Sequence, residues 1–341
     1  MDKSILIDGP IITDILKNET IKKRYKETSR IEYPHHILMP TFTESYLNLN
    51  NCLDKIEIET KMKSLLKSGI TRLCVHGKNY KDVMNININH LDIVHIIELD
   101  GKTIQQTDIK DMTDTLDFYK SDSSKQFCIS LNNIIDFDQD VIIKLSSILN
   151  EIDINLHIKG SCLKNITDEK KINNLISFWS EINLINNSYF HGVLSLNDHW
   201  QTNIKKRNIT SMVSYKELFS IDNIMKFLRL LKKKIKCVLI TETSNSYDLY
   251  QIIKIIEKLD IDQKNIFDKN KIINCVTENA SNHFSNFIST GSIKKGNKAS
   301  FNLFDLTLNQ LLYDKSCNPK LSVLDKESLT HVWSAGEQYK V

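Results

Sequence analysis

Glycine and proline are scarce in this chain, nine and four among 341 residues. A glycine-rich phosphate loop or a proline-rich linker therefore has little to be built from. Neither sign of charge prevails: 45 Lys and Arg face 42 Asp and Glu, a formal net charge of +3. No strong field selects nucleic acid or acidic lipid as a partner. No run of about 18 apolar residues occurs, which argues against a membrane span. The opening Met1-Asp2-Lys3-Ser4 leads straight into a strand-like run rather than a secretory signal. The seven cysteines (52, 74, 128, 162, 237, 275 and 317) are scattered, odd in number and never in C-x-x-C. That pattern argues against a disulfide framework or a structural zinc knuckle and fits a reducing cytoplasm.

What is present is an ordinary globular balance, 41% hydrophobic and 26% charged. The length exceeds one small core and falls short of two large domains. Ile, Asn and Lys recur throughout, as in "NININHLDIVHIIEL", so a single Lys or Asn carries less information than usual.

From residue 37 the chain alternates short apolar runs with amphipathic stretches. Strands are expected at 37–42, 70–75, 94–99, 127–131, 154–158, 189–194, 209–213 and 237–242, rich in β-branched or aromatic residues. Between them, "DKIEIETKMKSLLKSG" is read as a helix with Ile56, Met62, Leu65 and Leu66 on one face and Gly69 as its C-cap. "FDQDVIIKLSSILNE" presents Val141, Ile142, Leu145 and Ile148, and "SIDNIMKFLRLLKKK" starts at a cap of Ser220 or Asp222. Its terminal lysines suit the negative end of a helix dipole.

Eight strands separated by helices is the count of a (β/α)8 TIM-like barrel, an α/β fold. An open doubly wound sheet competes, but "PTFTESY" after the first run has no glycine to cradle a phosphate. The ends are β-like and punctuated by turns. Residues 1–36 and 289–341 are expected to form the two halves of a small composite β-sandwich around a barrel of 37–288.

Several strings resemble the amidohydrolase superfamily, in particular bacterial S-adenosylhomocysteine/5-methylthioadenosine deaminases and their chlorohydrolase relatives. "RIEYPHHILMPTFTESYLNL" (30–49) is similar to the segment entering barrel strand one, normally ending in His-x-His. "LLKSGIT" (65–71) resembles the approach to strand two, and "GSIKKGNKASFNLFDL" (291–306) and "HVWSAGEQY" (331–339) resemble the return to the small β-domain. The resemblance implies a hydrolase acting on C–N bonds other than peptide bonds. It also implies one divalent metal, zinc or iron, at the barrel mouth, held by residues of strands one, five, six and eight. Such a metal lowers the pKa of bound water to about 7 and supplies hydroxide.

The resemblance places His157 ("INLHIKGS"), His191 ("YFHGVLSL") and Glu242 ("CVLITETSNSYDL") at metal-ligand positions, with Glu242 also as the catalytic proton shuttle. Tyr46 and Asn48 stand where the strand-one His-x-His would be, and Gly160 where the catalytic Glu would be. Trp200, just beyond strand six, is a candidate substrate-binding residue lining the mouth. The spacings of 34 residues between His157 and His191, and 51 from there to Glu242, accommodate one and two βα units. Each residue also has a plainer reading. The two histidines can be satisfied core residues, Glu242 a surface carboxylate, and Cys74 and Cys237 buried apolar positions.

Three functions follow from this ligand set. A catalytically impaired homologue, a pseudoenzyme binding no metal tightly, is the first. An active metal-dependent deaminase or hydrolase of an adenosine-like or other amine, with a reduced His2Glu site, is the second. A metal-independent enzyme using Tyr46 or Glu242 as acid–base groups is the third. The expected partners are a small-molecule substrate and a second copy of the chain, with no nucleic acid and no membrane.

Overall fold

The computed structural model describes residues 3–49, 55–76, 88, 91–102, 126–152, 156–186, 188–241, 249–250, 253–256, 269–282, 288–307, 324 and 326–341. Eight parallel strands form one sheet, each beside the next in chain order: β4 (Phe42–Asn48), β5 (Ile70–His76), β6 (Asp92–Asp100), β7 (Gln126–Asn132), β8 (Leu156–Lys159), β9 (Tyr189–His191), β10 (Thr210–Ser214) and β11 (Cys237–Ile240). This is the expected TIM-like α/β barrel, nearly closed. At the seam between β11 and β4 the buried carboxylate of Glu44 accepts the backbone N–H of Thr241 at 3.1 Å. The chain after α7 (Lys269–Asn274) completes the closure: Thr43 N–H donates to the Val276 carbonyl at 2.9 Å and Leu239 N–H to that of Cys275 at 3.1 Å.

Strand residues alternate between two environments, as a period of two requires. Val75, Leu131, Ile158, Phe190 and Leu239 face the surrounding helices and join the main core. Their neighbours Cys74, Cys128, Tyr189, Met212 and Val238 form a separate cluster inside the barrel. The helices are placed by amphipathic spacing and caps. In α4 (Glu169–Glu181) the Asp168 carboxylate caps the first turn, and Ile172, Ile176 and Trp179 are buried. In α6 (Ile221–Lys232) Ser220 is the cap, accepting Asn223 N–H at 3.2 Å, and five residues from Ile224 to Leu231 are buried. Each such burial contributes roughly 1.5–3 kcal/mol.

The helix read over 54–69 is α2 (Lys55–Leu66), which buries Met62, Leu65 and Leu66 but leaves Ile56 76% exposed. Six positions at 100° each put Ile56 about 120° away from Met62, off the buried stripe. The expected strand at 37–42 is two strands. β3 (His36–Pro40) pairs antiparallel with β12 (Phe301–Asp305) outside the barrel, and β4 begins at Phe42. Pro40 has no N–H to carry the first ladder onward, and the chain changes sheet there.

The second sheet has the order β14 (Glu337–Lys340), β13 (Leu329–Ser334), β12, β3, and so is built from both ends of the chain. A hairpin of β1 (Lys3–Asp8) and β2 (Ile11–Lys17) joins it through Ile12 N–H, which donates to the Asn297 carbonyl at 2.9 Å. Gly9 takes φ +54° at the hairpin turn. Beneath the barrel, the fully buried Arg72 donates to Asp92 at 3.0 Å, and Lys298 donates to the second oxygen of that carboxylate at 2.6 Å. This pair of cations on one carboxylate ties the barrel floor to the strand entering the small sheet. Among the described residues, no helix is long and apolar enough to cross a membrane.

Candidate active site at the barrel mouth

The C-terminal ends of the barrel strands carry the inward-facing polar residues, where barrel enzymes place their chemistry. His157 and His191 come from the adjacent strands β8 and β9, where Lys159 is the registered partner of His191. Both are buried. His157 Nδ1 lies 3.1 Å from His191 Nε2. The other ring nitrogen of His157, Nε2, lies 3.6 Å from the Sγ of Cys128 on β7. His157 thus faces two ways, upward to His191 and inward to sulfur.

Tyr46 fills the space beside these rings. Its ring stands edge-on to His191 at a centroid distance of 4.7 Å and stacks on His76 at 5.7 Å. Its hydroxyl donates to Glu98 at 3.5 Å. Glu98, at the end of β6, also meets His76 Nε2 at 3.3 Å and forms an ion pair with Lys159. The Lys159 ammonium lies 5.5 Å from the centre of the Tyr46 ring. Glu98 and Lys159 are each about a quarter exposed, so the pair faces the opening. Burial pushes the His76 imidazolium down in pKa, against the opposing pull of Glu98. The Cys74 thiol is held well above its ordinary value, by burial first and by its contact with Cys128 second. Burial also pushes up the Tyr189 hydroxyl.

Tyr46, His157 and His191 are therefore brought together. Asn48 ends β4, paired in register with His76. Gly160 opens the short turn after β8, with the backbone of His191 packed against it. Trp200 stands apart from this group: it is buried in the helical layer, its indole stacked on Trp179 at 6.3 Å. It lies in the first turn of α5 (Asp198–Lys206), where its backbone N–H donates to the capping Asn197 side chain, and its indole faces Trp179 of α4. Glu242 lies outside the described residues.

Four members of the constellation were not singled out from sequence: His76, Glu98, Lys159 and Cys128. The usable signal is parity. His157 and Lys159, Cys74 and His76, and Ile96 and Glu98 are each two apart on one strand and so share its inner face.

A sequence profile described as the amidohydrolase family matches residues 152–339, more than half of the chain, and the chain belongs to that family. No curated protein matches it. Among solved structures, guanine deaminase from C. acetobutylicum with bound guanine superposes with a TM-score of 0.76 at 15% identity, covering 98% of this chain and 94% of that one. An adenosine deaminase from Xanthomonas campestris with bound zinc gives 0.77 at 12% identity, covering 100% and 88%. Helicobacter pylori aminofutalosine deaminase in complex with methylthio-coformycin gives 0.73 at 12%, covering 99% and 95%. These likenesses are of fold.

The family implies a metal at the mouth, and the described residues there fit it in one respect. Two nitrogens bound to tetrahedral zinc at 2.0–2.1 Å lie about 3.3 Å apart, near the 3.1 Å between His157 and His191. Strand one, however, offers a phenol and an amide instead of two imidazoles. The phenol is turned to Glu98, and the Lys159 cation stands close to the same ring. A carboxylate already paired with an ammonium is a poor additional ligand, and a like charge at the opening opposes a second cation. Among the described residues, the strand-one side of the mouth does not fit the family's open-coordination metal.

Proposed function

We propose that this amidohydrolase-family protein is impaired in metal-dependent hydrolysis and uses its barrel mouth to bind a small polar molecule. The observation that carries this reading is the Tyr46–Glu98–Lys159 arrangement. It sets a phenol at one of the strand-one positions that the resemblance gives to metal ligands, with the ion pair from β6 and β8 beside it. With no tightly held metal to polarise a water, and with Gly160 in place of the substrate-contacting Glu, the described residues supply neither hydroxide nor that acid–base group. What the described residues leave there is one ammonium, one carboxylate and ring faces, groups that suit a small zwitterionic or heteroaromatic ligand. The division into a barrel and a small β-domain from both ends, a cytoplasmic location and a homodimer belong to the same reading. Nucleic acid and membrane are not its partners.

The test is ammonia release from guanine, adenosine, S-adenosylhomocysteine and 5-methylthioadenosine by the full chain supplied with zinc, iron or manganese. No turnover above the free-metal control is expected. Turnover that disappears in His157→Ala and His191→Ala would overturn the proposal. It would favour the second reading, an active deaminase with His157, His191 and Glu242 as ligands, which draws on the close approach of the two ring nitrogens.

A further inference from the structure

Below the mouth, one layer deeper in the barrel, three soft-metal ligands converge from strands far apart in the chain. Cys74 on β5, Cys128 on β7 and His157 on β8 are all buried, and one ligand atom of each lies within 4.8 Å of the other two. The 3.6 Å between Cys128 Sγ and His157 Nε2 matches the separation of about 3.6 Å between a sulfur at 2.3 Å and a nitrogen at about 2.05 Å on one tetrahedral zinc. We propose that Cys74, Cys128 and His157 Nε2 form an interior metal site that takes a borderline-soft divalent cation of the zinc class.

Three arguments single out that class. Two thiolates and a neutral imidazole carry a charge of −2, so a divalent ion makes the site neutral. That suits an interior shared with Val94, Ile96 and Met212, where an uncompensated charge is costly. Thiolate with imidazole selects zinc-like ions over magnesium or calcium, which take oxygen. Loading replaces two thiol protons, which pass to solvent, and forms two metal–sulfur bonds and one metal–nitrogen bond.

The second nitrogen of His157 supplies the outer support such a ligand needs. With Nε2 on the metal, Nδ1 carries the proton and donates it to His191 Nε2, 3.1 Å away. His191 is then a positioning residue, its acceptor nitrogen occupied. The interior site and a metal shared between His157 and His191 are mutually exclusive, because each needs the opposite tautomer of His157. Tyr189, with its ring 5.6 Å from that of His157, packs in the same layer. The proposal rests on the reading that the mouth holds no metal through His157, because that residue cannot serve both sites at once.

The test is titration of the reduced, metal-freed full chain with cadmium ion alone, read by thiolate-to-cadmium absorption in the ultraviolet. One equivalent is expected to bind with a band from two thiolates. Cys74→Ser and Cys128→Ser should each diminish the band and weaken binding at least tenfold. His191→Ala should keep the band, since it removes no ligand. Circular dichroism of each metal-free variant shows that it has folded. Wild-type protein that takes up no cadmium, or takes it up without the band, overturns the site. So does a band that survives in the Cys74→Ser/Cys128→Ser double variant, whose other five cysteines remain. Cadmium uptake that is bandless and lost in His191→Ala places the ion at the mouth and likewise overturns it. Turnover lost in His157→Ala and His191→Ala overturns both readings, whereas absent turnover with absent cadmium uptake overturns the interior site alone, so the two failures are distinguishable.

Discussion

The end of β8 and the end of β9 approach so closely that a β-carbon on Gly160 would stand 2.6 Å from the carbonyl oxygen of His191. Both partners are backbone, and neither can swing aside. The position that resembles the family's catalytic Glu is thus one where this chain has no room for a side chain. Gly160→Ala should lower stability by on the order of 1–3 kcal/mol through overpacking, read as a shift in the urea midpoint. Gly160→Glu should cost at least as much and should not raise hydrolysis above that of the parent. An alanine variant as stable as the parent would mean that the two strand ends are looser than this contact requires.

Glu44 is a buried carboxylate that joins the first barrel strand to the last. Its oxygens accept Tyr46 N–H at 3.0 Å and Thr241 N–H at 3.1 Å. Removing the acceptor strands two buried donors, and hydrogen bonds to charged groups are worth about 1.5–3 kcal/mol each. Glu44→Ala should therefore lose about 2–4 kcal/mol, and Glu44→Gln, which keeps one acceptor oxygen, markedly less. Equal midpoints for the two variants in urea would show that the carboxylate does not hold the seam.

In the small sheet, His331 on β13 packs its ring against Tyr33 at 5.3 Å. Burial lowers its pKa, and His36 and Lys340 lower it further. A histidine depressed in the fold is kept neutral there, while the unfolded chain takes up a proton below about pH 6.5. Its contribution is thus complete above about pH 6.5 and is lost as pH falls through the lower folded value. The melting temperature should drop between pH 7 and 5, and less steeply in His331→Gln. Parallel curves for the two proteins would assign the acid sensitivity elsewhere.

Much of the fold was legible because buried parallel strands announce themselves as short apolar runs, and seven of the eight barrel strands lie where such runs occur. The first was misplaced because "ILMPTF" is one apolar run that serves two sheets, broken only at Pro40. Sequence offered His157 and His191 through resemblance, and the fold puts their nitrogens together. The Glu98–Lys159 pair and the Cys74–Cys128 approach were not legible. They depend on which strand follows which around the barrel, and charged residues are too common in this composition for one Glu or Lys to stand out. Trp200 shows the converse: position along the chain suggested the mouth, but its side chain is buried in the helical layer against Trp179.

Strand one is where the mouth departs furthest from its family, and refitting it tests what that departure does. Tyr46→His with Asn48→His adds two imidazoles beside the His157–His191 pair and removes the phenol that now stands edge-on to His191. Four nitrogen donors make a set that a divalent ion can occupy, whereas two do not suffice against a nearby ammonium. In a Cys74→Ser/Cys128→Ser background, which removes the interior ligands, the double variant should take up cobalt(II) with visible d–d absorption, and that uptake should vanish when His191→Ala is added. Lys159→Met in the same background should tighten binding further, because it removes the cation that faces the opening. Cobalt bound by the parent protein in the same His191-dependent way would show that Tyr46 and Asn48 do not close the mouth to metal. The proposed impairment would then rest on Gly160 alone.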